Sequence, residues 1–299
     1  MILNLQEAAS IEDLDYSEYD IGFYGPELDD RGKVAIDFVK EISKEVKKLK
    51  YDAENMVLFI DEDFYNIDDL EEKLHFLKDK KILIESTTLT FTEVLLLLKQ
   101  LKKLSSSLSI LYIEPKSYRK KRAIDDNLVF RRQYDLSDVT IGYRPIPGFS
   151  SFLSLDMQQR ILFLAGYESE RVDRAIEENS IITSSCSLLF GVPAFQAGWE
   201  MNSFTNNVRI MKERGLSDGV HFASANNPGA VYDELKRIYR SLDTSEEFYI
   251  VPIGTKPCGI GAALFMVDYE DVNVLYDHPS KTKTRSKEIN KWHMYDVEY

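Results

Sequence analysis

The same order of elements is written into this chain twice, and that repetition constrains the fold more than any single motif. A short apolar run, Ile21-Gly22-Phe23-Tyr24-Gly25, passes through Pro26-Glu27-Leu28-Asp29-Asp30-Arg31 into a helical pattern over 34–46. A second run, Ile161-Leu162-Phe163-Leu164-Ala165, passes through Gly166-Tyr167-Glu168-Ser169-Glu170-Arg171 into a helical pattern over 172–176. Each half then closes with a strand, a Thr-bearing loop, an apolar helix and a last strand ending in acid and proline, Glu114-Pro115 in one and Asp277-His278-Pro279 in the other. The halves share pattern with little identity. Strands alternating with helices need crossover connections, which make mostly parallel sheets. The expected fold class is therefore α/β, built from two related Rossmann-like halves: 1–150, ending in a basic excursion and linker, and 151–299, ending in a basic and aromatic tail.

At 299 residues, the chain accommodates two domains of that size. With 44% hydrophobic and 29% charged residues it is globular in composition. The stretch 1–20 carries acids where a secretory signal needs a basic flank, and no apolar run reaches the length of a membrane span. Those features point to a cytoplasmic protein with no membrane partner. Cys186 and Cys258 lack Cys-x-x-Cys spacing and read as reduced thiols.

The formal charge of −13 repels phosphate backbones at long range, so nucleic acid is expected to engage only local basic runs. Two such runs follow the two closing strands, 116–122 and 281–287. Their Arg119, Lys120, Lys121, Lys283 and Arg285 are candidates for an anion-binding surface; a solvated loop is the bland alternative.

Further strands are expected at 56–60, 81–85, 110–113, 180–183, 219–223, 248–252 and 272–276, with helices at 70–77, 91–104, 171–178, 206–214, 229–242 and 258–267. A hairpin is expected around 129–143, and Trp292, Tyr295 and Tyr299 should pack the tail on the body. The best single motif is Ile250-Val251-Pro252-Ile253-Gly254-Thr255-Lys256-Pro257-Cys258-Gly259-Ile260-Gly261, between a strand and an apolar helix. Glycines let backbone amides approach a ligand, a helix start favours anions, and Lys256 adds a point charge. It is neither a Walker loop nor a complete dinucleotide fingerprint, and a tight turn with close helix packing explains the same residues.

Glu27 with Arg31, and Glu168 with Arg171, are recurring acid-base pairs at strand ends; each also fits a local ion pair on a first helical turn. Asp61-Glu62-Asp63 has the composition of a cation site or ribose hydroxyl hook, or of a solvated acidic loop. The four histidines, His75, His221, His278 and His293, have no metal-ligand spacing, so no metal is assigned and the cofactor stays open. His278, beside Asp277 at a strand end, is the histidine candidate for acid-base work, and Cys186 a nucleophile without an identifiable base.

Gly254-Thr255-Lys256 after one strand, Ser86-Thr87-Thr88 after another and the βα alternation together resemble the CARF group of ligand-sensing domains in bacterial antiviral systems. The resemblance implies a pocket over the strand ends for a nucleotide-derived second messenger, often across a dimer interface. The chain departs from that group where a nuclease or helix-turn-helix output would stand, since its second half reads as another α/β unit.

The combined expectation is a binding or regulatory component of a multi-protein system, antiviral defence by resemblance, acting with a protein partner or as a homo-oligomer. Its ligand is nucleotide-like or phosphorylated. Glu27, Arg31, Ser86, Thr87 and Glu114 would line one pocket; Glu168, Arg171, Gly254, Thr255, Lys256 and Asp277 the other or a shared one. The rival readings are a hydrolase of a nucleotide or NAD-like ligand, with Glu168, Asp277 or His278 in acid-base roles, and a structural adaptor that binds protein or nucleic acid through the basic runs.

Overall fold

A computed structural model describes residues 2–104, 107–119, 134, 136–150, 157–216, 219–282 and 285–299. In chain order the strands are β1 (Ile2–Ala8), β2 (Tyr19–Tyr24), β3 (Ser43–Asp52), β4 (Val57–Ile60), β5 (Asp63–Asn66), β6 (Lys81–Glu85), β7 (Ser107–Tyr118), β8 (Ser137–Thr140), β9 (Gln158–Ala165), β10 (Cys186–Gly191), β11 (Val220–Ala223), β12 (Glu246–Pro252), β13 (Asn273–Val274), β14 (Pro279–Lys281) and β15 (Ser286–Val297). The helices are α1 (Asp30–Ile42), α2 (Leu70–Lys73), α3 (Phe91–Leu104), α4 (Ser169–Glu178), α5 (Trp199–Arg214), α6 (Pro228–Tyr239) and α7 (Lys256–Asp268). Among the described residues no helix is long and apolar enough to cross a membrane.

The chain divides into a first unit, Met1–Arg119 with Lys281–Tyr299, and a second, Lys120–Ser280. This differs from a cut at residue 150. The tail returns as β15, which pairs antiparallel with β7 on one side and β1 on the other, so backbone hydrogen bonding assigns it to the first unit. Trp292 and Tyr295 are buried there, as expected of an aromatic tail.

The first unit is an eight-stranded sheet in the order β1-β15-β7-β6-β2-β3-β4-β5. Its four central strands, β7, β6, β2 and β3, run parallel, and antiparallel strands extend both edges. Helix α1 begins at an Asp29 cap whose side chain accepts from the Gly32 amide, and it buries Ala35, Phe38, Val39 and Ile42. Those residues join Leu83, Leu111, Ile113, Trp292 and Met294 in one core. Helix α3 buries Leu95, Leu96, Leu97 and Leu98 on all sides, as that leucine run requires.

The second unit has five parallel strands in the order β11-β10-β9-β12-β13, the Rossmann-like arrangement in which the chain starts at the centre, builds outward and then reverses. Its core includes Ile161, Phe163, Val172, Leu188, Phe190, Tyr249 and Val251. Fully burying a side chain of this size contributes roughly 1.5–3 kcal/mol, which offsets the ordering of strands that have few polar neighbours. The repeat is topological: β3-β2-β6-β7 in the first unit corresponds, strand for strand, to β10-β9-β12-β13 in the second. Both units are thus α/β with parallel Rossmann-like centres. The pair β8–β14 is a separate ribbon.

Several local expectations change. The helical pattern over 34–46 stops at Ile42, and Ser43 opens β3, whose charges at 44, 45, 47, 48 and 50 imitate a polar helix face. Cross-strand bonding to β2 and β4 overrides that propensity. The strand expected at 180–183 begins instead at Cys186, because Ser180 takes a positive φ of 51° and Thr183–Ser185 form a 3-10 turn. The helix expected at 206–214 starts earlier, at Trp199. The hairpin expected around 129–143 lies largely outside the described residues, which retain β8.

Candidate functional site

In each unit a glycine directly after the first parallel strand abuts the loop that leaves the strand beside it at the reversal, β6 in the first unit and β12 in the second. A Cβ on Gly25 would stand 2.8 Å from the Thr88 carbonyl oxygen, and one on Gly166 would stand 2.6 Å from the Ile253 carbonyl oxygen. Only a residue without Cβ fits such a backbone approach, so the two loops meet at the point where strand order reverses. From there an arginine in the first turn of the next helix reaches toward the last parallel strand.

In the first unit that arginine is Arg31, buried to 2% exposure. Its Nη1 donates to the Ile113 carbonyl at 2.6 Å, its Nε to Ser286 Oγ at 2.9 Å and its Nη2 to Asp29 Oδ2 at 3.2 Å. Burial disfavours the Asp29 carboxylate, but Arg31 and the Ser286 and Gly32 donors hold its pKa below the usual value. The acid that pairs with Arg31 is therefore Asp29, the helix cap, and the expected partner Glu27 is exposed.

Ser86 and Thr87 are turned inward. The Ser86 hydroxyl donates to the Leu111 carbonyl at 2.8 Å, and Thr87 Oγ1 accepts from the Ile113 amide at 3.0 Å. Glu85, also fully buried, accepts from the Thr87 and Thr88 amides at 2.6 and 3.0 Å. Glu114 accepts from Asn290 Nδ2 and lies 3.0 Å from His293 Nε2. Arg285 is half-buried with its Nε enclosed, and burial and the neighbouring Arg31 hold its pKa below the usual value. Arg119 donates its amide to the Arg285 carbonyl, whereas Lys120, Lys121 and Lys283 lie outside the described residues. Arg31, Ser86, Thr87 and Glu114 are thus gathered at one sheet edge, each already satisfied by protein.

In the second unit Arg171 forms a bidentate pair with Asp277, at 2.8 Å from Nε and 2.5 Å from Nη2, and its Nη1 lies 3.6 Å from Glu168. Burial opposes the guanidinium charge, but the hydrogen-bonded Asp277 raises its pKa above the ordinary value. Glu168 also accepts from Ser137 Oγ at 2.9 Å. Asp277 is 1% exposed with both oxygens occupied, which removes it from contact with a substrate, whereas the Glu168 side chain keeps 15% exposure. His278 is buried at a positive φ of 43°, its Nε2 3.1 Å from the Arg144 carbonyl, and burial holds its pKa below the usual value. A ring so placed acts as a turn residue rather than an exposed acid or base. Cys186 opens a buried strand and burial pushes its thiol up to about 12, which disfavours the thiolate a nucleophile needs.

Gly254, Thr255 and Lys256 are half-buried at the start of α7. Thr255 caps the helix, accepting from the Cys258 amide and donating to the Ala225 carbonyl at 2.7 Å. Pro257 has no amide hydrogen, so this turn offers an anion the Lys256 ammonium and the positive helix end rather than a row of amides. Gly259 and Gly261 lie within α7, where Gly261 packs against the Pro228 carbonyl of α6; here close helix packing is the reading that holds. Facing the same loops, Ser203 and Asn207 of α5 donate to the Gly166 carbonyl, each at 2.9 Å, and Asn206 donates to the Tyr167 carbonyl at 2.9 Å. Sequence reasoning passes over this row; its signal is Ser203, Asn206 and Asn207 at three- and four-residue spacing, which puts them on one face of α5, a helix whose buried residues are mostly polar. It also passes over Asp29, whose position just before α1 is that of a cap.

Asp61 is a turn residue with φ 55° whose Oδ1 accepts from the Lys48 amide. Among the described residues no group of three or more His, Cys, Asp or Glu side chains is arranged to hold a metal ion.

No protein-family model matches the chain, and no curated protein matches it. A solved ketoreductase domain from the bacillaene assembly line aligns with 88% of this chain and 69% of its own at 11% identity and a TM-score of 0.24, a likeness too slight to carry an argument.

Proposed function

We propose that the second unit binds a phosphorylated, nucleotide-like small molecule over the C-terminal ends of β9 and β12, and that the protein serves as the ligand-binding component of a larger assembly. The observation that carries this reading is the half-exposed cluster Gly166, Glu168, Gly254, Thr255 and Lys256 at the reversal point of a wholly parallel sheet. Open α/β sheets take ligands at that point. Lys256, as the first residue of the thirteen-residue α7, combines a side-chain charge with a positive helix end, which suits a phosphoryl group. Glu168 stands across the same crossover and offers an acceptor for ligand hydroxyls.

Titration of the full chain with a panel of mono-, di- and cyclic nucleotides, followed by calorimetry, tests the reading. Binding of at least one member, lost on Lys256→Glu, is the expected result. A ligand whose affinity is indifferent to that charge reversal would sink it. A role in antiviral defence rests on the family resemblance, and identification of co-purifying small molecules and proteins by mass spectrometry tests it.

Hydrolysis of the same ligand is the second reading, favoured by the residual exposure of Glu168. With Asp277 inaccessible, Glu168 is the carboxylate left to act as base. Turnover abolished by Glu168→Gln, with binding retained, would replace the sensor reading with this one.

A further inference from the structure

One charged group at the first unit's strand ends is not taken up by the protein. Arg285, the residue before β15, keeps some solvent contact, but its Nε is enclosed and has no hydrogen-bond acceptor. Among the described residues no hydrogen bond or ion pair engages its guanidinium. An enclosed donor without an acceptor is rare in a folded protein, and its usual partner is a water or an ion.

The carboxylates of this edge are engaged elsewhere. Asp29 Oδ1 accepts from the Gly32 amide at 2.9 Å, and its Oδ2 from Arg31 Nη2 and the Ser286 hydroxyl. Glu85 accepts from the Thr87 and Thr88 amides, and Glu114 from Asn290 beside His293. Two guanidiniums, Arg31 and Arg285, therefore neighbour one carboxylate, Asp29, and burial followed by Arg31 opposes the Arg285 charge. The nearby Tyr112 and Tyr118 phenols stay neutral, because burial raises both pKa values. The antiparallel register sets Arg119 across from Arg285, whose carbonyl accepts the Arg119 amide at 2.8 Å, so a third basic residue is anchored at this rim.

A water would satisfy the Nε hydrogen and leave the charge uncompensated. An oxyanion does both, because a guanidinium presents its N–H groups as a planar fork that matches two oxygens.

We propose that Arg285 anchors a phosphate site at this rim, its Nε and one terminal nitrogen donating to two oxygens of inorganic phosphate or of a phosphate monoester. Arg31, with all three nitrogens bonded, contributes charge without contact. The site is independent of the phosphoryl-ligand reading of the second unit.

Calorimetric titration of the full chain carrying Lys256→Glu, which removes the second unit's candidate anchor, tests it with inorganic phosphate and glycerol 3-phosphate at ionic strength fixed by sodium chloride. Saturable binding of at least one is expected, weakened about tenfold or more by Arg285→Met, the loss of a charge-assisted fork. Arg285→Lys keeps the charge without the fork and should recover only part of that loss. In phosphate-free buffer Arg285→Met should leave the melting temperature unchanged or raised, since it removes an uncompensated charge from an enclosed position. No saturable binding, binding indifferent to Arg285→Met, or a melting temperature lowered by both Arg285 variants would each overturn the proposal.

Discussion

At the C-terminal edge of its parallel strands the first unit is sealed, whereas the corresponding edge of the second is half-open, although both are built on the same strand order. In the first, Glu85, Ser86, Thr87, Thr88, Arg31 and Glu114 are all buried and bonded within the protein. In the second, Gly166, Glu168, Gly254, Thr255 and Lys256 retain solvent access, and the buried polar work is concentrated in Arg171 with Asp277. The antiparallel tail explains part of the contrast: Ser286 and Asn290 on β15 supply partners to Arg31 and Glu114. A sheet edge whose polar groups are buried against internal partners offers a ligand less than one whose polar groups keep solvent contact.

The largest effect that would test this comparison is loss of a buried charge partner. Arg171→Met leaves Asp277 buried without its cation and should cost about 3–5 kcal/mol in urea denaturation. Arg31→Met should cost a similar amount, since Asp29 and the Ile113 carbonyl both lose a donor. A change below about 1 kcal/mol at either position would break the idea that the two arginines are matched clamps.

Next come the paired glycines. Gly25→Ala and Gly166→Ala each force a Cβ onto a backbone carbonyl oxygen, and displacing that backbone should cost roughly 1–3 kcal/mol. The two should differ in ligand binding: the alanine at 166 should perturb it and that at 25 should not.

Thr87→Val sharpens the sealed side. It strands the Ile113 amide and should destabilise by roughly 1–3 kcal/mol while leaving nucleotide affinity unchanged. On the open side Thr255→Ala removes a cap, at a cost of typically ~1 kcal/mol, and should also lower affinity through displacement of Lys256.

The smallest expected effect is one of pH. Burial places the folded His278 pKa below its unfolded value of about 6.5, so the unfolded chain binds the proton more readily. Stability should therefore fall as pH drops through about 6.5, and His278→Asn, a residue tolerant of positive φ, should flatten that slope in denaturation curves between pH 5 and 8.

Much of this architecture was legible in the linear pattern. The apolar runs at 21–25, 81–85, 161–165 and 248–252 became the central parallel strands β2, β6, β9 and β12, because continuous apolar runs have no stable place except between covering layers. The Arg31 and Arg171 correspondence was also visible, since both occupy the first turn of the helix after the first parallel strand. Three things were not visible. Strand β3 reads as helix until its pairing with β2 is known; Asp29 rather than Glu27 faces Arg31 because a cap residue points back along its own helix; and β15 joins the first unit through hydrogen bonds spanning most of the chain. Each depends on partners distant in sequence or on the direction of one side chain, which hydrophobic periodicity does not encode.

By itself, then, the sequence determined the α/β class, the repeat and the polar residues that gather at the strand ends, because period and turn chemistry are local properties of a chain. Tertiary structure alone decided which of those residues are spent inside the protein and which still face solvent. Burial and hydrogen-bond satisfaction are properties of neighbours, and at the first unit's strand ends the decisive neighbours arrive from the last stretch of the chain, on β15.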